Sequence, residues 1–429
     1  LEGVLKSYQR KKGKDMKQYY ILKDGDKQEG PIDEESLHKQ LKDGTISGST
    51  KVWCEGMQEW EPANKVFREG AGQLIKQKLD AIVNSDKSKV EMAHELINNA
   101  TGLSKIDGFS FKTFFSELFN KHSNDDVVRL FCRGTKETTP GLEAVAATWP
   151  TPWVFSRLLI ACVLLYFGFG WALETYKNAN LIPGYIFVGS FGMPLCMMVL
   201  FYELNIRQDM SFYEAVKAMV FGGLLSLILA LFLFDKVDID AAYWAGPIEE
   251  PAKLLAALFI CAKTHRDGRI LHGLLIGAAV GAGFAAFESA GYVFRTMSED
   301  VMEMRAILAP MCHVVWTAIT AGAFWHVMSL KMQEGKRAKD ATDIDFSIFV
   351  DMRFWRIAII PIVLHMLWNS DLLGDYHNYV WIGTGAAAWF IALGLVQAGI
   401  NQIKREKAAM FEAQCEGTEE AASMQEESA

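Results

Sequence analysis

From residue 153 onward the chain alternates long apolar runs with short polar ones, and the apolar runs approach the ~20 residues that cross a bilayer as a helix. Eight such windows stand out: 153–173, 181–202, 213–234, 242–262, 271–294, 306–330, 354–374 and 379–400. Residues up to about 150 have a different texture, charged and mixed in character. The pattern predicts an all-α multi-pass membrane protein of about eight transmembrane helices behind a small α+β front.

Within the front, Tyr19-Tyr20-Ile21-Leu22 reads as a strand, Gly25 and Gly30-Pro31 as turns, and Asp33-Glu34-Glu35-Ser36-Leu37 opens a helix that runs through Leu41. Val52-Trp53 forms a second strand, and Gly56 turns the chain into Trp60. Residues 18–70 make one module. Residues 71–150 read as a helical connector, with runs from Leu74 to Val83 and from Val90 to Ile97. Phe109, Phe111, Phe114, Phe115, Leu118 and Phe119 then recur at helical spacing, which predicts an amphipathic helix on the membrane surface or against the front module. Trp149-Pro150-Thr151-Pro152-Trp153 marks the bilayer boundary, where interfacial aromatics concentrate. The spans occupy residues 153–400.

Charge adds orientation. The net charge of -8 owes much to Glu416, Glu419, Glu420, Glu426 and Glu427, so residues 401–429 read as an acidic tail and no nucleic-acid surface is implied. Loops 203–212, 263–270 and 331–353 hold Arg207, Lys263, Arg266, Arg269, Lys331, Lys336, Arg337, Lys339 and Arg353. The alternate loops hold only Lys177, Lys236, Arg295 and Arg305. By the positive-inside rule both termini are expected on the cytoplasmic side of a cell membrane. The seven cysteines are scattered and never spaced as C-x-x-C, which supports neither a disulfide framework nor a zinc knuckle.

Against this apolar background a few groups are out of place: Glu249, Glu250 and Lys253 in the fourth window, Glu288 in the fifth, His313 in the sixth, His365 and Asn369 in the seventh. An ionisable group in hydrocarbon costs at least ~2.5 kcal/mol, so a chain that carries several uses them. At ~1.5 Å per residue on antiparallel helices, Glu249, Glu288 and His313 fall about 10 Å, and His365 and Asn369 about 8–14 Å, below the outer ends of their helices. Lys253 lies between Glu249 and Glu250 in helical angle and can neutralise either. Gly273, Gly277, Gly281, Phe284, Glu288 and Tyr292 share one stripe, whose glycines admit a close neighbouring helix. His365 and Asn369 are i, i+4 neighbours on one face.

These residues carry a resemblance. Glu-Glu-x-x-Lys, Phe-x-x-x-Glu with a Tyr four residues on, a lone helical His, and His-x-x-x-Asn, in order across residues 240–375, resemble the four motifs of the PrsW family of intramembrane proteases, related to the CAAX prenyl endopeptidases. One departure is Ser289, where many members carry Asn. The front module resembles a GYF-like domain through its aromatic strand, Gly-Pro, short helix, Gly44-Thr45-Ile46 turn, and the Trp53, Gly56, Trp60 spacing. In related modules, exposed aromatics hold proline-rich peptides. Here Ile32 replaces an aromatic after Gly-Pro, and Tyr20, Trp53 and Trp60 are expected to form the module's core instead.

The resemblance implies an endopeptidase that cuts a membrane protein near the outer face in regulated proteolysis, with a single-pass anti-sigma-factor-like protein as one candidate substrate. It implies catalytic roles for Glu249, Glu250, Lys253, Glu288, His313, His365 and Asn369. Peptide hydrolysis needs a base for water and donors for the developing oxyanion. Glu249 is the expected base, Glu250 and Lys253 set its charge, Glu288 or His313 shares the water, and His365 with Asn369 holds the oxyanion. Zinc held by Glu249, Glu288, His313 and His365 is the alternative. The metal-free route is preferred, since no His-Glu-x-x-His helix is present and Lys253 would repel a cation. Two other classes stay open: an ion- or proton-coupled transporter, and a non-catalytic membrane scaffold.

Overall fold

The computed structural model describes residues 18–23, 27–42, 45–47, 49–63, 95, 97–237, 242–261, 268–337, 344–370 and 377–427. The expected helix over 74–83, most of the one over 90–97, and the turn residues Gly25 and Gly44 lie outside them. The chain divides into two compact units, residues 1–93 and 94–429.

The first unit is a four-stranded antiparallel sheet of β1 (Gln18–Lys23), β2 (Lys27–Asp33), β3 (Lys51–Cys54) and β4 (Glu61–Pro62), in the order β2-β1-β3-β4, with helix α1 (Glu34–Lys42). Strand alternation sends Tyr19 and Ile21 of β1, and Val52 and Cys54 of β3, into a core shared with Leu37, Ile46 and Ala63. Tyr20 and Trp53 therefore point to the opposite face. The expectation that Tyr20, Trp53 and Trp60 fill the core is corrected: they form a half-buried aromatic row, with ring centroids 6.1 Å apart for Tyr20–Trp53 and 6.5 Å for Trp53–Trp60.

The second unit is all helical. Each of the eight apolar windows coincides with a helix or a broken helix. These are α3 (Val154–Tyr176), α4 (Ile182–Leu204), α5 (Phe212–Lys217) continued through a π turn into α6 (Gly223–Val237), α7 (Ala245–Cys261), α8 (Ile270–Thr296), α9 (Glu299–Leu308) leading to α10 (His313–Gln333), α11 (Met352–Trp368) and α12 (His377–Glu427). A short helix, α2 (Asn124–Phe131), precedes them. Among the described residues six helical segments are long and apolar enough to cross a membrane. The remaining two, α7 and α11, have 17 residues each, about 25 Å at ~1.5 Å per residue, so the expected eight full-length spans reduce to six plus two short ones. The two short helices are the ones that carry Glu249, Glu250, Lys253 and His365.

The amphipathic helix expected over 109–119 is also corrected. Only Phe111–Phe114 is helical, begun by the Ser110 cap and stopped at Phe115. The rings pack on one another and on the membrane unit rather than along a stripe: Phe109 lies 4.8 Å from Trp149, and Phe114 is buried in the main core. Helix α12 runs unbroken past residue 400, with Gln402 and Ile403 buried and Lys407 donating to the Val145 carbonyl at 2.8 Å.

Helices α8 and α10 form the centre of this unit, and the glycine stripe is the reason they approach. A Cβ on Gly281 would stand 2.4 Å from the His313 carbonyl oxygen, and one on Gly277 2.4 Å from that of Thr317. Only glycine fits there. On the other side, a Cβ on Gly246 would meet the Ile362 carbonyl at 2.5 Å, so α7 and α11 also touch backbone to backbone.

Candidate active site

The polar groups meet where these close approaches converge. Glu249 lies four residues into α7, about 6 Å along its axis, and Glu288 lies eight residues, about 12 Å, before the end of α8. His365 lies three residues before the end of α11. The sixth window is not one helix. Pro310 lies in a 3-10 turn over Ala309–Met311, and His313 is the first residue of α10. The Pro310 carbonyl freed by the break accepts the Trp389 indole N–H of α12 at 2.8 Å. A broken helix inside a membrane protein survives where its loose backbone groups find such partners. The α10 N-terminus, with its positive dipole end, thereby faces the carboxylates.

Six of the seven candidate residues form one network. Lys253 is fully buried and donates to Glu250 Oε1 at 2.7 Å, Glu249 Oε2 at 3.2 Å and His313 Nδ1 at 2.8 Å. Its ammonium also stands 4.0 Å from the centre of the Phe284 ring, a cation–π contact. His365 Nδ1 lies 2.9 Å from Glu250 Oε1, and His313 Nε2 lies 3.1 Å from Glu288 Oε2. An ionised carboxylate can only accept, so each pairing puts the imidazole proton on the nitrogen facing it. The other nitrogens, His313 Nδ1 and His365 Nε2, then present lone pairs toward Glu249, at 4.0 and 3.9 Å from its Oε2.

The seventh candidate is elsewhere. Asn369 follows the last residue of α11 as its C-cap, and its side-chain amide donates to the Ala242 carbonyl at 3.0 Å. The Asn369 N–H still bonds the His365 carbonyl at 3.1 Å as i, i+4 spacing requires, but its side chain is taken by the Ala242 carbonyl.

Two residues that the sequence reading left outside the site belong to it. Arg305 of α9, counted as a loop charge, pairs with Glu288 and donates to Ser289 Oγ at 3.0 Å while lying over the Tyr292 ring. Ser289 thus serves as a partner of the arginine. Trp316, one turn after His313, is fully buried, lies 4.7 Å from the His365 ring and stands edge-on 5.5 Å from the His313 ring. Its place three residues beyond His313 was the available signal.

The donor set also bears on a metal. Glu249, His313 and His365 offer ligand atoms all within 4.8 Å of one another. Separations of 3.9 and 4.0 Å exceed the ~3.4 Å between tetrahedral ligands about 2.1 Å from a shared ion, so the side chains would draw in by about half an ångström to hold one; each imidazole is steadied from behind by a carboxylate, as metal-bound histidines are. The residues fit a zinc-type ion, with Glu288 behind His313 instead of on the ion. Lys253 is the competing feature, because its ammonium already touches two of the three ligand atoms.

Fold and site together define a multi-pass membrane protein with a buried carboxylate–imidazole centre. Residues 211–396 match the family model of the PrsW family intramembrane metalloproteases, and residues 19–67 match that of GYF domain 2. No curated protein and no solved structure matches it.

Proposed function

We infer that the chain hydrolyses a peptide bond of a membrane protein at the end of the helical bundle where Glu249, His313 and His365 converge. The observation that carries this reading is the paired arrangement of the imidazoles. Each is held on one nitrogen by a carboxylate, Glu250 or Glu288, and turns the other toward Glu249. A structural role needs no such convergence of two imidazole nitrogens on a third carboxylate, His365 Nε2 directly and His313 Nδ1 beside the Lys253 ammonium that it accepts from.

Glu249, His313 and His365 would hold a divalent ion. When bound, such an ion supplies a Lewis acid and a water acidic enough to be deprotonated near neutral pH. Glu250 and Glu288 fix the tautomers, Lys253 balances the paired glutamates, and Arg305 holds Glu288 against His313. A metal-free reading is favoured by one observation, the ammonium of Lys253 between Glu249 and His313. There Glu249 takes the proton of the attacking water, and His365, once a second proton occupies its Nε2 as an imidazolium, donates to the oxyanion; Asn369, engaged with Ala242, does not join it. Metal content of the purified protein, measured by mass spectrometry, separates the two: about one ion per chain, lost in Glu249→Gln and His365→Ala, supports the ion, and none in an active protein supports the glutamate base.

The orientation of the spans follows from the lysine and arginine distribution, with both termini cytoplasmic and the site toward the outer side of a cell membrane. A single-pass protein of the anti-sigma-factor kind suits a site at that depth, and the reading places the reaction in regulated signalling. Comparative proteomics of membrane fractions from wild-type and Glu249→Gln cells tests it. A membrane protein that accumulates uncut in the variant supports the reading, and identical profiles overturn it.

A further inference from the structure

A cavity lies at the end of the fold away from Glu249, where the first span begins. It measures about 410 Å³ and is lined by His122, Arg129 and Arg133 from α2 and its flanks, by Pro150 to Trp153, and by Glu203 and Gln208. Asp126 and Leu130 complete the wall. Trp153 is the residue immediately before α3, so the cavity sits at the entrance of a membrane helix, the level of lipid headgroups.

The charges around it are unequally engaged. Glu203 spends both carboxylate oxygens on backbone donors, accepting from the N–H groups of Trp153, Val154 and Phe155 at 2.7, 2.9 and 2.9 Å. Asp126 is bound in a capping box, accepting from Ser123 N and Ser123 Oγ at 2.8 Å each. Those backbone and side-chain hydrogen bonds with Ser123 hold the Asp126 carboxyl below its usual range. The two acids are thus both taken up in starting helices, Glu203 at α3 and Asp126 at α2. The guanidinium groups are arranged differently. Arg129 is exposed, three residues after Asp126, and Arg133 reaches across to the Gln208 side-chain oxygen. Arg157, one turn into α3, lies 4.3 Å over the Trp153 ring, whose other neighbour is the His122 ring stacked at 3.8 Å. A rigid aromatic floor with arginines around it, open at the bilayer boundary, is suited to a phosphate whose alkyl tails continue into the lipid.

We propose that this cavity binds the headgroup phosphate of an anionic phospholipid, with Arg129 and Arg133 as its ligands and Trp153 at its floor. The contact joins three parts of the unit at the membrane surface: α2, the start of α3 and the loop after α4. An occupied headgroup site there ties the soluble connector to the first span, remote from Glu249 and its partners.

The test uses the full-length protein in detergent. Thermal melting is followed on addition of phosphatidylglycerol, phosphatidylcholine or inorganic phosphate, and retained lipid is identified by native mass spectrometry. The account predicts a rise in melting temperature with phosphatidylglycerol only, a retained anionic lipid, and at least about tenfold weaker lipid binding in Arg129→Glu/Arg133→Glu. The same loss, smaller, is expected in Arg129→Glu alone, an exposed position whose folding is not in question, and Arg129→Lys restores most of it. Equal effects of the two lipids, an equal effect of inorganic phosphate, or unaltered binding in Arg129→Glu would overturn the proposal.

Discussion

Glu250 Oε1 lies 2.9 Å from His365 Nδ1 and 2.7 Å from the ammonium of Lys253, so one fully buried oxygen joins α7 and α11, the two short helices that carry the site. The two glutamates of the pair consequently have different jobs. Replacing Glu250 by Gln leaves a buried ammonium short of its main partner, and the expected loss is about 3–5 kcal/mol, seen as a lower melting temperature. Glu249→Gln keeps the Lys253–Glu250 contact and is expected to melt near wild type while losing activity. Equal losses of stability in the two variants would show the division of roles to be wrong.

The glycine at 281 is the steric counterpart of this ion network. A methyl group there meets the His313 carbonyl, so Gly281→Ala is expected to cost about 1–3 kcal/mol and to lower activity by moving His313. Gly291→Ala, on the same helix with nothing within 4 Å, serves as the control and is expected to be neutral or slightly stabilising. Melting and activity of the pair, measured side by side, check both statements.

Much of this was legible in the sequence, because a bilayer makes polar residues conspicuous. Glu249, Glu250, Lys253, Glu288, His313 and His365 stood out against apolar neighbours, and the glycine stripe named the helix face that α10 occupies. What was hidden has a common cause, the ends and breaks of helices. Residues 306–330 stay apolar through Pro310 and Cys312, so the window hid the start of α10 at His313, for which Pro310 was the available sign. Arg305 was read as a loop charge for the same reason, and Asn369 as a helical neighbour of His365. In the front module, the error lay in choosing the larger aromatics for the core when strand alternation buries Tyr19 and Ile21 instead.

Arg305 acts through Glu288 and is expected to be a positioning residue. Arg305→Ala is predicted to lower kcat about 10–100-fold with a smaller effect on KM, and Arg305→Lys to recover part of the loss. A change confined to KM would place the arginine in substrate binding instead. Steady-state kinetics on one substrate across the three proteins decides this.

Asp209, in the loop between α4 and α5, gives a pH signature independent of the site. Burial pushes its carboxyl up, but His272 at 3.3 Å and Arg269 at 3.6 Å overcome that and hold it well below the usual range. A carboxyl depressed in the folded state stabilises fully above its unfolded value near ~4, and the contribution disappears as pH falls toward the folded value. Melting temperature is therefore expected to drop on acidification from about pH 5 downward, and the drop to be shallower in Asp209→Asn. Parallel profiles for the two proteins would contradict this.

The most direct test of the central claim is cleavage in proteoliposomes of the membrane protein that accumulates in Glu249→Gln cells. Wild-type protein is predicted to release a fragment cut near the outer membrane face, with Glu249→Gln and His365→Ala inactive though folded and inserted. Cleavage at the wild-type rate by both variants would contradict the account.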